Sequence, residues 1–131
     1  MVEVSQAEFE DFINAGLAAI PPLYQTRLEN VAVLAEDYPT AEQRIRLNLY
    51  PNETLFGLYE GVPLPKRSGT LKLLPDKITI FKKPIEFASQ TKAEVKERVR
   101  HTIWHEVAHY YGLDHKRIHE LDSKADNKQQ G

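Results

Sequence analysis

His105-Glu106-Val107-Ala108-His109-Tyr110-Tyr111-Gly112-Leu113-Asp114-His115 closes a segment in which Val95, Val99, Ile103 and Val107 recur every four residues. An apolar stripe at that interval marks an amphipathic helix with one face on a core. It predicts a helix from about Gln90 to Gly112, where a glycine can adopt positive φ and end it. The helix thus carries its structural face and a row of imidazoles on different sides.

An α-helix turns by about 100° per residue, so His105 and His109 lie about 40° apart on one face. At that spacing both rings reach one ion at the ~2.0–2.1 Å that zinc prefers. Glu106 projects about 100° further round, between the histidine face and the valine stripe. From there it misses direct ligation but reaches a water on the metal and can take its proton. Beyond Gly112 the chain swings back, which brings His115 toward the same ion. Three histidines leave the fourth tetrahedral position open, the catalytic rather than the structural arrangement. The expected site is therefore one Zn2+ per chain on His105, His109 and His115, with Glu106 as the catalytic general base. The short H-E-x-x-H spacing would arise by chance in on the order of one shuffled chain in fifty. With Gly112 and His115 at their offsets the figure falls to on the order of one in tens of thousands.

The 131 residues are 41% hydrophobic and 27% charged, enough for one compact core. We expect a single domain over residues 1–121 and a polar, disordered tail over 122–131. A net charge of −2 provides no electrostatic argument for nucleic acid or an acidic membrane surface. There is no cysteine, which excludes disulfides and thiolate ligands. The acidic start shows no secretory pattern and no stretch is apolar enough to span a bilayer, so the expected location is cytoplasmic.

Ser5-Gln6-Ala7-Glu8 is a capping-box pattern, and Phe9, Phe12, Ile13 and Leu17 follow at helical spacing, predicting a helix over about 5–19. Pro21-Pro22 ends it and opens a short second helix. Val31–Ala35 reads as a buried strand, Pro39 to about Leu49 as a helix, and Leu55–Tyr59 as a second strand. Residues 63–76, with their prolines, read as a surface loop, and Lys77–Phe81 alternates like a half-buried third strand. The expected fold class is α+β, with a short twisted sheet of about three strands against the motif helix and further helices.

The extended motif resembles the zincin metallopeptidases, especially the metzincins. It departs from metzincins in lacking a methionine after the third ligand, since the only methionine is Met1. Most of the chain is more similar to the small bacterial zincin-like metallopeptidases. The similarity runs through Asn30–Val33, Glu36–Pro39, Leu55–Pro63, Ile78–Phe81 and Val99–His115. That resemblance implies a small α+β zincin-like domain, a zinc-dependent hydrolase of peptide bonds, and a peptide or protein substrate. In that family Asp often stands at the position of His115, which leaves Asp114 as the alternative third ligand. By analogy with zincins, Leu55–Tyr59 is the edge strand that lies above the metal and pairs with extended substrate.

Two competing functions stay open. The rRNA-maturation endoribonucleases use a similar H-x-x-x-H-x-x-G-x-D-H pattern, which His101 and Gly112–His115 also fit; Glu106 departs from it. A non-catalytic zinc-binding module is the other, and a general base would serve no purpose there. Outside the ligand set, His101 and His119 are expected to be solvated or to support a ligand. Glu120 could hydrogen-bond a ligand ring, Tyr110 and Tyr111 should fill the core, and Trp104 should pack under a loop. Lys92, Lys96, Arg98 and Arg100, alternating with Glu94 and Glu97, read as a solvated helix face.

Overall fold

The structure is a computed structural model that describes residues 1–26, 28–50, 54–61, 76–113 and 120. The elements in order are α1 (Gln6–Ala18), α2 (Pro22–Gln25), a 3-10 turn (Leu28–Asn30), β1 (Val31–Glu36) and α3 (Ala41–Arg46). They continue with β2 (Gly57–Glu60), β3 (Asp76–Phe81), α4 (Lys82–Ala88) and α5 (Lys92–Tyr110). The three strands form one mixed sheet in the order β1-β3-β2. β1 runs parallel to β3, with Val33 opposite Ile78, and β2 runs antiparallel, with Leu58 opposite Thr79. The fold is α+β, as the alternation of short strands and helices predicts.

The stripe on α5 is completely buried: Val95, Val99, Ile103 and Val107 are all 0% exposed. They meet Phe9 and Ile13 of α1, and Ile78 and Ile80 of β3, in one core. Each such aliphatic side chain contributes roughly 1.5–3 kcal/mol by leaving water. α5 therefore sits between α1 and the sheet, touching both β3 and β2.

Contact with β2 is unusually close. A Cβ on Gly57 would fall 2.5 Å from Thr102 Cγ2 and 3.2 Å from the carbonyl oxygen of Thr79. Neither neighbour is the far end of a flexible chain, so only glycine lets the strand lie this low over the helix. Pairing with β3 extends one residue before the strand, where Phe81 N–H donates to the Phe56 carbonyl at 2.8 Å.

Four expectations are corrected. β3 is the central strand and all of its residues but Lys77 are buried, rather than half-buried, because a neighbour flanks it on either side. β1 is an edge strand, so its residues are partly buried or exposed rather than buried. α3 stops at Arg46, short of Leu49, because Leu47 caps it and Asn48 takes a left-handed conformation with φ 55°. α4 was not anticipated: its Pro84 lies in the first helical turn, where a missing N–H costs no helical hydrogen bond. Loop 63–76 lies outside the described residues except for Asp76, which instead begins β3, and tail 122–131 lies wholly outside them.

The helix starts are tied to each other. In the capping box of α1, Glu8 N–H donates to Ser5 Oγ at 3.0 Å and Ser5 N–H donates to Glu8 Oε1 at 3.1 Å. Glu8 Oε2 also accepts from Lys92 Nζ at 2.8 Å, at the start of α5. A second carboxylate, fully buried Glu86 of α4, holds the N-terminal segment by accepting Val4 N–H at 2.7 Å. Lys82 and Lys83 stand 3.8 and 3.4 Å from its oxygens, which keeps the burial of charge tolerable.

Two predictions arise from these contacts. The Lys92 hydrogen bond, with the capping bond to Ser5, lowers the Glu8 pKa from 4.5 to about 2. A carboxylate depressed in the folded state stabilises it fully above the unfolded pKa, and that contribution is lost as pH falls through about 2. An NMR titration should place the Glu8 midpoint near 2 and return it toward 4.5 in Lys92→Ala; an unmoved midpoint contradicts the link. Gly57→Ala should cost about 1–3 kcal/mol in urea unfolding, through displacement of β2 from α5. Unchanged stability in that variant contradicts the close approach.

Candidate metal centre

α5 ends where its glycine predicts. Tyr111 is the C-cap and Gly112 takes φ 73°, a left-handed conformation that glycine adopts without strain. Gly112 N–H donates to the His109 carbonyl at 2.9 Å and Leu113 N–H to that of Ala108 at 3.0 Å. This pair of bonds is the Schellman termination, and Leu113 packs back on the core beyond it. The chain thus reverses three residues past His109, directly ahead of Asp114 and His115.

With the valine stripe facing inward, the remaining helix faces are determined. His101 and His109 are exposed and His105 is half-buried, all in one row. The rings of His101 and His105 lie 4.6 Å apart, centroid to centroid. Glu106 takes the position between the row and the core, buried to 9% exposure. Its Cγ lies 3.4 Å from where a Gly57 Cβ would stand, so the carboxylate arm passes directly beneath β2. Its Oε1 stands 3.3 Å from His109 Nδ1. That hydrogen bond raises the His109 pKa, against the opposing effect of partial burial.

These residues suit a zinc ion chemically. Two imidazoles one turn apart are borderline-soft nitrogen donors, and the adjacent carboxylate is buried rather than solvated, as an ordinary surface helix would leave it. Among the described residues, no group of three His, Asp or Glu side chains comes together to hold a metal. His115 and the alternative Asp114 lie outside the described residues, as does His119. The structure therefore sets Glu106 against His109 and the His105 ring against that of His101, on one stretch of α5.

Neighbouring aromatics are structural. Tyr110 is 3% exposed, its ring 5.9 Å from that of Tyr59 on β2. The Tyr111 hydroxyl donates to the Tyr24 carbonyl at 2.8 Å. Trp104 is buried and meets the Tyr24 ring edge-on at 5.4 Å, so it packs under the short α2 segment. Glu120 is exposed.

One reading of α5 needs correction. The set Lys92 to Arg100 is not uniformly a solvated face. Arg98 is half-buried, with its guanidinium 5.9 Å from the centre of the Phe56 ring, and the Arg100 side chain is only 12% exposed where it pairs with Glu97. The sequence does carry a signal for this, since residues 98, 102 and 106 share one helix face, the face that β2 covers. A cavity of about 350 Å3 opens there, lined by Phe56, Glu94, Glu97, Arg98, His101 and Thr102. It continues the histidine row toward the start of α5.

Among the described residues no helix is long and apolar enough to cross a membrane. No curated protein matches the chain significantly. A family model described as zincin-like metallopeptidase, a group that binds zinc in general, matches residues 28–125, from the turn before β1 to beyond the motif. The match covers most of the chain together with the helix, strand and cleft described above, and the chain belongs to the zincin-like metallopeptidase family.

Proposed function

We propose that this chain is a zinc-dependent peptidase in which His105, His109 and His115 hold the metal and Glu106 is the general base. The observation that carries the reading is the placement of Glu106: a buried carboxylate on the turn between two imidazoles, beneath an edge strand. A zinc ion bound there would supply a Lewis acid for the scissile carbonyl and lower the pKa of water. Glu106 accepts the proton of the attacking water and returns it to the leaving amine. His105 and His109, on a helix locked by its buried stripe, keep the reacting groups in fixed register.

Peptide fits this cleft better than nucleic acid. Among the described residues β2 pairs with β3 alone, and its other edge is the one that would take an extended chain by main-chain hydrogen bonds. A net charge of −2 does not favour a phosphate backbone.

Purified protein carrying about one zinc should cleave members of a mixed peptide library and leave single-stranded RNA intact. Glu106→Gln should retain the zinc and lose peptide cleavage by roughly 10²–10⁴-fold, the usual contribution of a general base. Cleavage of RNA would favour the endoribonuclease reading. Stoichiometric zinc with no turnover of either polymer would favour a metal-binding module.

A further inference from the structure

We propose that the cavity at the start of the cleft is a carboxylate-binding subsite, with Arg98 as its specificity-determining residue. The proposal rests on the peptidase reading and adds to it a class of substrate. Of the two acids lining this cavity, Glu97 is paired with a cation and Glu94 is turned to the start of α5 by one oxygen. Glu97 accepts Arg100 Nε on both oxygens at 3.0 Å, and Arg100 Nη2 stands 2.5 Å from its Oε1. Glu94 Oε2 accepts Gln90 N–H at 3.2 Å, across the first turn of α5. The Thr102 hydroxyl donates to the Arg98 carbonyl at 2.7 Å.

Arg98 is different. Its Nε is buried and makes no hydrogen bond, and no ion pair links its guanidinium to a carboxylate among the described residues. Its guanidinium lies over the Phe56 ring, a cation–π contact that orients the planar group without using its N–H donors. A desolvated donor without a partner is costly, and a carboxylate removes that cost by a charge-assisted, bidentate pair. The cavity, about 350 Å3, is large enough to admit a side chain or a chain end.

Position ties it to the same reaction. Arg98 precedes His105 by seven residues. That puts them about 10 Å apart on nearly the same side of the helix. An extended peptide covers this in about three residues at ~3.3 Å each. Phe56 adjoins the first residue of β2, so a peptide paired with that strand passes the cavity mouth. The ligand chemistry is a carboxylate, supplied either by an Asp or Glu side chain or by the free C-terminus of a peptide.

Fluorescence anisotropy on the zinc-loaded Glu106→Gln protein measures binding without turnover. One series of amidated peptides carries Glu or Gln at each position in turn; a second carries Gln throughout, with a free or amidated C-terminus. At one Glu position, or with the free terminus, binding should tighten roughly tenfold or more over the neutral counterpart. Adding Arg98→Gln should erase the preference, and Arg98→Lys should keep part of it, with melting temperatures confirming that both variants fold. Equal binding of acidic and neutral peptides, no binding of any peptide, or a preference that survives Arg98→Gln overturns the subsite. Turnover of the same peptides by the unsubstituted protein is scored separately. Lack of cleavage with the Arg98-dependent preference intact counts against the peptidase reading and not against the subsite.

Discussion

Val95, Val99, Ile103 and Val107 are wholly buried, and a helix with such a face cannot rotate about its axis without drawing it into water. At roughly 1.5–3 kcal/mol for each side chain, turning α5 out of register would remove much of the margin by which small domains are folded. Every other position on the helix follows from that constraint. The imidazoles of residues 101, 105 and 109 face outward, and Arg98, Thr102 and Glu106 face β2. Core packing thereby sets the geometry of the candidate chemistry.

The second constraint is the distance between β2 and α5. Gly57 lets the strand descend until Thr102 and the stem of Glu106 touch its underside. A carboxylate confined under a strand, 3.3 Å from the His109 ring, is shielded from bulk water. Further along the same seam, Phe56 covers Arg98. The strand thus orders two charged groups of opposite sign along one cleft, an acid at the motif and a cation two helical turns before it.

Much of this was legible in the residues themselves. The four-residue stripe and Gly112 located the helix, its inner face and its end, because both signals depend on local geometry alone. The same holds for the Ser5–Glu8 capping box. Less legible was whatever depends on sheet order. Ile78 and Ile80 alternate with polar residues, which suggested one wet face, yet their strand is central and Thr79 is 1% exposed. Val31 to Ala35 looked buried by composition, yet an edge position leaves Leu34 42% exposed. α4 escaped notice because a seven-residue helix with a proline in its first turn is too short to display a period. Arg98 and Arg100 read as solvated from their alternation with Glu94 and Glu97, although Arg98 shares a helix face with Thr102 and Glu106, and that face is covered by β2. The proposed ligand set was legible as a motif; His105 and His109 share one helix face, and His115 lies outside the described residues.

X-ray absorption at the zinc edge tests the central claim most directly, because it counts donors without requiring a substrate. The account predicts one zinc per chain with three histidine nitrogens and one oxygen at ~2.0–2.1 Å, the oxygen remaining in Glu106→Gln and one nitrogen lost in His115→Ala. A sub-stoichiometric metal, or a shell in which His105 and His109 can be replaced without loss of a nitrogen, would contradict it.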